Sequence, residues 1–336
     1  MKPRIALIGS GTWGMNFVRV LVNNNECIFA AVADINPLAL ERIQMLGKDI
    51  LTYSNFSQVV ENEDIDAVII STPVNTHYEI SKACISAGKH VMCEKPLTLT
   101  LEEAIQLQKI AQDQKVILMV GHIFLYNDAI RYIKEAIVKN ALGKPMYMYF
   151  KRTGLGPVRE DVNAIWDLAP HDISIANYLL DAMPMSITAF GNSYLKQGKV
   201  DVAFIMLEYQ NNVFVNIHVS WIDPSKQRQI TIVGDKKMLI YDDVSITDKI
   251  KIFDKGVSYQ THSGDFGEFQ MAIRDGEIVI PNIKHNEPLK SEVNHFIDCI
   301  IKNKTPFTDG GNAVNVMKVL EASGKSIMNN NIKIYL

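Results

Sequence analysis

The chain has 336 residues, 34 basic against 37 acidic side chains, a formal charge of −3 and 47% hydrophobic residues. That length exceeds what a single core usually holds, so about two domains are expected, and the composition excludes wholesale disorder. Neither the part before Gly121 nor the part after it is basic, which excludes the electrostatic footprint of a nucleic-acid binder.

The chain opens Met1-Lys2-Pro3-Arg4 and runs straight into Ile5-Ala6-Leu7-Ile8, without the pattern of a signal peptide. Residues 5–8, 29–33, 67–70, 90–93 and 116–120 are apolar or β-branched without polar alternation, as strands covered on both faces of a parallel sheet read. Between them lie helical patterns. Thr76-His77-Tyr78-Glu79 has the form of a capping box opening a helix to Ala87, and Gly88 stands where a glycine ends one. Residues 100–112 carry a stripe of Leu101, Ala104, Ile105, Leu107 and Ile110. Strands alternating with helices imply right-handed crossovers and a doubly wound sheet.

After Gly121 the texture changes. A helix is expected over 129–138, a strand over 146–150, and consecutive strands between 187 and 283. The clearest hairpin joins 202–209 to 213–221 across Gln210-Asn211-Asn212. Helices over 289–302 and 312–328 close the chain. The expected fold is an α/β dinucleotide-type domain over 1–121, then an α+β domain over 122–336 with a large open, mostly antiparallel sheet. No apolar run reaches the ~20 residues that span a bilayer, and Cys27, Cys84, Cys93 and Cys299 include no Cys-x-x-Cys pair. A cytoplasmic protein with reduced, structural thiols, no membrane or nucleic-acid partner and no metal site is expected.

Gly9-Ser10-Gly11-Thr12-Trp13-Gly14 fits G-x-G-x-x-G, after the first strand and before a helical run through Phe17, Val18, Leu21 and Val22. The glycines permit a tight turn and close approach to a pyrophosphate, and the helix start supplies free N–H groups. Asp34 ends the second strand, where a carboxylate accepts hydrogen bonds from an adenosine ribose. It would repel a 2′-phosphate, and Ile35-Asn36-Pro37 offers no arginine to hold one, so NAD is favoured over NADP. Ser71-Thr72-Pro73, Glu94-Lys95-Pro96 and Gly121-His122 each follow a strand, at the edge where ligands bind in open α/β sheets. Thr12, Trp13, Ser71, Thr72, Pro73, Asn75, His77, Glu94 and Lys95 join the glycines and Asp34 as candidate cofactor contacts.

Lys95 at a strand end can donate to a substrate hydroxyl and stabilise a developing alkoxide, with Glu94 orienting it. In Trp166-Asp167-Leu168-Ala169-Pro170-His171-Asp172, a helix starting near Asp167 would hold Pro170 in its first turn. Asp167 and His171 then share one inward face with Leu168, Ile175 and Leu179. Asp172 points a quarter-turn away and reads as first-turn helix stabilisation.

On these residues the sequence resembles the Gfo/Idh/MocA family of sugar and inositol oxidoreductases over essentially its whole length. The carriers are the glycine loop, Ser71-Thr72-Pro73, Gly88-Lys89-His90-Val91 leading to Glu94-Lys95-Pro96, and Asp167-x-x-x-His171. The resemblance implies an N-terminal Rossmann domain and a C-terminal sheet that forms the interface of a homodimer or homotetramer. It implies hydride transfer from a ring carbon to C4 of a nicotinamide. Lys95 would polarise the reacting hydroxyl, His171 accept its proton, and Asp167 contact the substrate. The family often has glycine two residues after the aspartate, whereas Ala169-Pro170 stand here. Gly121 through Asn127, Asp161-Val162-Asn163 and the Trp166–Asp172 segment also resemble a bacterial subgroup of nucleotide-sugar pathways that includes UDP-N-acetylglucosamine 3-dehydrogenases. That implies a UDP-sugar oxidised at C3. Lys151, Arg152 and Arg159, around Gly154-Leu155-Gly156-Pro157, are candidates for its diphosphate; Tyr126, Asn127, Asn163 and Trp166 are candidates for the sugar. The alternatives are a free sugar or inositol dehydrogenase, and a non-catalytic cofactor-binding regulator, against which the presence of Lys95, Asp167 and His171 argues.

Overall fold

A computed structural model describes residues 2–46, 49–156, 158–261 and 269–336, with the side chains of 257–261 and 269–272 left aside. Its first elements alternate as the apolar runs require: β1 (Arg4–Ile8), α1 (Gly14–Val22), β2 (Ile28–Ala33), α2 (Pro37–Gln44), β3 (Leu51–Tyr53), α3 (Ser57–Glu61), β4 (Ala67–Ile70), α4 (His77–Ser86), β5 (His90–Glu94), α5 (Leu101–Gln114) and β6 (Leu118–Gly121). All six strands pair in parallel, in the order β3-β2-β1-β4-β5-β6. The order reverses between β1 and β4, so the loops leaving those two strands diverge and open a crevice. Ile5, Leu7, Ile69, Met92 and Val120 are fully buried, as both-face coverage demands. β3 is a three-residue edge strand that the sequence patterning did not announce, with Leu51 exposed and Thr52 and Tyr53 partly exposed.

The expected capping box at Thr76 does not form, because its hydroxyl turns back to the Thr72 hydroxyl and Pro73 carbonyl. The box is found instead at α5, where the Thr100 hydroxyl accepts from the Glu103 amide and Glu103 accepts from the Thr100 amide. Gly88 ends α4 with φ +76°, a backbone that only glycine adopts without strain.

The next elements are α6 (Asp128–Val138), β7 (Pro145–Leu155), α7 (Ala164–Leu180), β8 (Ser186–Asn192), β9 (Val202–Glu208), β10 (Phe214–Ser220), β11 (Ile222–Gly234), β12 (Met238–Asp242), β13 (Ile250–Thr261) and β14 (Phe269–Val279). After them come α8 (Pro288–Lys302), α9 (Gly310–Met328) and β15 (Ile334–Tyr335). β7 to β15 form one nine-stranded sheet, β14-β13-β12-β11-β7-β10-β9-β8-β15. Only β7 and β10 run parallel; the other neighbours are antiparallel. In β9, Ala203, Ile205 and Leu207 are buried while Phe204 and Met206 are exposed, so one face meets helix α7 and the other carries apolar side chains to the surface. The β9–β10 hairpin turns where Asn211 and Asn212 take φ +59° and +58°, a region asparagine tolerates.

Helix α7 begins earlier than the sequence suggested. Asn163 caps it by accepting from the Trp166 amide, which puts Pro170 inside the helix rather than in its first turn. The ring supplies no N–H, so one rung of the ladder, at the Trp166 carbonyl, is lost there.

The contacts divide the chain into two compact units: residues up to Tyr126 with Asn286–Glu321, and Asn127–His285 with Ala322–Leu336. The expected boundary at Gly121 assigned everything later to one domain. The chain instead returns to the first unit because α8 buries Leu289, Val293, Phe296 and Ile297 there. No described helix is long and apolar enough to cross a membrane.

Candidate active site

In the first unit, the turn after β1 is closed by contact. A Cβ on Gly9, whose φ is +91°, would lie 2.9 Å from Ser71 and Thr72, and one on Gly14 would lie 2.2 Å from the Gly9 carbonyl oxygen. A Cβ on Gly11 would meet no heavy atom within 4 Å, so that side of the turn is open to a ligand where α1 presents its first amides. The Ser71 hydroxyl donates to the Gly9 carbonyl at 2.6 Å, locking the turn to β4. At the end of β2, Asp34 accepts from the Ser10 amide (2.6 Å), the Ser10 hydroxyl (2.9 Å) and the Asn36 amide (2.9 Å). These residues fit a dinucleotide: closed turn, open glycine, oriented carboxylate. Thr12 and Trp13 are exposed on the loop, and Asn75 is exposed in the turn after Pro73. His77 requires a correction. It is buried, with its ring nitrogens 2.9 Å from the Pro96 carbonyl oxygen and 2.8 Å from that of Thr72, so it ties two loops together.

Glu94 is the hub beside Lys95. The Trp13 indole N–H donates to Glu94 Oε1, and the Lys95 amide donates to Oε2 at 3.1 Å. Gly121 lies opposite Glu94 in the β5–β6 register, and a Cβ there would come 3.2 Å from the carboxyl. Burial pushes the Glu94 carboxyl pKa up, against the opposing pull of Trp13 and Lys95. The glutamate therefore orients the lysine through its backbone amide.

Two groups here were not among the expected site residues. His122 is buried, neither ring nitrogen has a hydrogen-bond partner among the described residues, and burial followed by Lys95 pushes its pKa down to about 3. It is a neutral imidazole. Glu292 on α8 is fully buried with both oxygens unpartnered among the described residues, and burial followed by Glu94 raises its pKa well above the ordinary range. Its position at the end of β6 flagged His122; Glu292, in a polar-looking Lys290-Ser291-Glu292 stretch, carried no signal.

In the second unit, Asp167 sits in the first turn of α7. Its Oδ1 accepts from Arg159 at 3.2 Å and its Oδ2 from the Trp221 indole at 3.1 Å. Trp221, expected only as the end of a hairpin strand, thus joins the candidate site. Arg159 also forks onto Asp161, so two carboxylates engage it. His171 follows one turn after Asp167, half-buried with Nδ1 enclosed.

Several expected substrate contacts have other work. Arg152 is 5% exposed and donates from Nε and Nη2 to Asp172 at 2.7–3.1 Å. This corrects both residues: Arg152 is committed to a buried ion pair, and Asp172 is its partner rather than a dipole-stabilising acid. Lys151 stands 5.1 Å from the centroid of the Tyr149 ring. Asn127 caps α6 and donates to the Tyr241 hydroxyl at 3.3 Å, and Asn163 caps α7. Tyr126 is fully buried in the first unit, its hydroxyl 3.1 Å from that of Thr308, so a sugar contact is corrected to a core role. Trp166 is half-buried, and Pro157 lies outside the described residues. The four cysteines are buried free thiols.

Comparison with known proteins agrees with this arrangement. Residues 3–122 match the Gfo/Idh/MocA model described as an oxidoreductase family with an NAD-binding Rossmann fold, and residues 130–240 match the Gfo/Idh/MocA C-terminal domain. UDP-N-acetylglucosamine 3-dehydrogenase from Acidithiobacillus ferrooxidans is 28% identical over 248 residues, 74% of either chain. Myo-inositol 2-dehydrogenase from Thermotoga maritima is 25% identical over 304 residues, 85% of this chain and 89% of that one. The solved structure of the Acidithiobacillus enzyme matches with a TM-score of 0.81 at 25% identity, over 97% of this chain and 98% of that chain. With both domain models matched in order across most of its length, the chain belongs to the Gfo/Idh/MocA family of oxidoreductases and begins with an NAD-binding Rossmann domain.

Proposed function

We propose that this chain is a cytoplasmic NAD-dependent dehydrogenase that oxidises a ring hydroxyl, at C3, of a nucleotide-activated amino sugar. The observation that carries the reading is Glu94, anchored by Trp13 of the glycine loop and holding the backbone of Lys95. A lysine fixed to the nucleotide loop is suited to the alkoxide that forms as a hydride leaves carbon. The similarity to UDP-N-acetylglucosamine 3-dehydrogenase supports the substrate class.

Gly9, Gly11, Gly14, Asp34 and Ser71 would hold the dinucleotide. When bound, the dinucleotide would supply the hydride acceptor. Lys95 Nζ donates to the substrate oxygen and stabilises its developing negative charge. His171 takes the hydroxyl proton as general base. Asp167, oriented by Trp221 and Arg159, accepts a hydrogen bond from the sugar. One hydride and one proton leave the substrate, so the product is the ketone. Asp34 selects NAD over NADP because a 2′-phosphate would meet its negative charge.

A second reading, a free inositol dehydrogenase, is favoured by the engagement of Arg152 and Arg159 with internal acids, and by the longer match to myo-inositol 2-dehydrogenase. Incubation with NAD and a panel of UDP-hexosamines, uronates, free sugars and inositols separates the two. The expected result is loss of two hydrogens from a UDP-hexosamine, read by mass spectrometry so that a recycled cofactor does not hide turnover. Oxidation of inositols alone would replace the first reading with the second. The exposed apolar side chains Tyr147, Phe190, Phe204, Met206 and Phe214 of the large sheet support self-association into a homodimer or homotetramer through that face.

A further inference from the structure

Strands β7 and β11 place Arg152 and Arg228 directly opposite each other. Cross-strand partners have Cβ atoms about 5 Å apart on one sheet face, and like charges there repel. An arginine cannot shed its proton to relieve this. Asp172 answers only one of the two, through three hydrogen bonds to Arg152. The remaining acid of the cluster, Asp243, accepts from the Tyr241 hydroxyl at 2.8 Å and lies 3.6 Å from Lys249. Arg228 is half-buried, and its guanidinium makes no hydrogen bond or ion pair among the described residues. Burial, then Arg152, lower its pKa, while Asp243 and Asp172 pull the other way without contact. Three cations, Arg152, Arg228 and Lys249, thus share two carboxylates, and five guanidinium donors lack an acceptor.

We infer that Arg228 binds an oxyanion of the substrate, a phosphate or a carboxylate, which supplies the charge that the Arg152–Arg228 pair lacks. A planar fork that retains partial exposure suits a bidentate oxyanion. Asp172, which immobilises Arg152 beside it, immediately follows His171 in α7. The inference deepens the nucleotide-sugar reading and rests on it: Arg152 and Arg159, the arginines expected to take the diphosphate, are engaged by Asp172, Asp161 and Asp167, and Arg228 is not.

The test is calorimetric binding of UDP, inorganic pyrophosphate and glucuronate to NAD-saturated protein, with wild type, Arg228→Ala and Arg228→Lys compared. NAD saturation keeps the probes off the nucleotide loop, and an unchanged near-UV circular dichroism spectrum and thermal unfolding profile show that each variant is folded. The expected result is binding of at least one oxyanion, weakened about tenfold or more by Arg228→Ala and in part restored by Arg228→Lys. UDP and pyrophosphate responding together assign a diphosphate; glucuronate alone assigns a carboxylate. No binding of any probe, or equal affinity in wild type and Arg228→Ala, overturns the inference. Arg228-dependent UDP binding without oxidation of any UDP-sugar would overturn the dehydrogenase reading and leave the anion site standing.

Discussion

The Trp13 indole and the Lys95 backbone amide converge on one carboxyl group, that of Glu94. The loop that receives the cofactor is thereby fastened to the loop that presents the lysine, and Gly121 keeps the space the carboxyl occupies. The backbone of Lys95 is thus positioned by the same carboxyl that holds the glycine loop.

Lys95→Ala is therefore expected to lower kcat by about 10²–10⁴-fold, the usual range for a lost proton-handling group. NAD affinity should change little, since the glycine turn and Asp34 are untouched. Turnover by absorbance and NAD binding by calorimetry check both halves; near-normal turnover would remove the catalytic role.

Asp34→Ala removes the acceptor of three hydrogen bonds at the end of β2. Its kcat/KM ratio for NAD over NADP should fall, because the charge opposing a 2′-phosphate is gone. An unchanged ratio would separate Asp34 from cofactor choice and leave it the role of holding Ser10.

Breaking the buried Arg152–Asp172 pair from one side leaves an uncompensated charge in the interior. Arg152→Ala or Asp172→Ala should each cost about 3–5 kcal/mol, read from urea midpoints. The double variant Arg152→Met, Asp172→Leu should recover most of that loss. A small effect of the single variants would show that water reaches the pair.

Glu292 gives a pH signature. Buried beside Glu94, its folded pKa stands well above the ordinary value, as that of Glu94 is also raised. The native state then keeps a proton that the unfolded chain loses near about 4.3, so stability falls as pH rises from there toward the folded value. Glu292→Gln removes that dependence. Its stability relative to wild type should rise between pH 5 and pH 8; a constant difference across that range would mean the carboxyl has a partner in solution.

The parts of this site that were readable in the sequence are those fixed by local backbone. Gly9, Gly14 and Asp34 occupy positions set by one strand and one turn, and Lys95 follows an uninterrupted apolar strand. What stayed hidden depends on residues brought together across the fold. Arg152 and Asp172 look alike whether they meet each other or a ligand, and only the packing of α7 on β7 decides. Asn127 and Asn163 read as sugar contacts because a capping amide and a binding amide are the same chemical group. Trp221 read only as the end of a strand because nothing near it in sequence announces Asp167. β3 escaped notice because it has only three residues and none of them is buried.

The most direct measurement follows the hydrogen itself. UDP-N-acetylglucosamine deuterated at C3, incubated with the protein and NAD, should transfer its deuterium to the nicotinamide and yield a 3-keto sugar two hydrogens lighter. Deuterium retained in the sugar while NAD is reduced by another polyol would contradict oxidation at C3 of a nucleotide sugar.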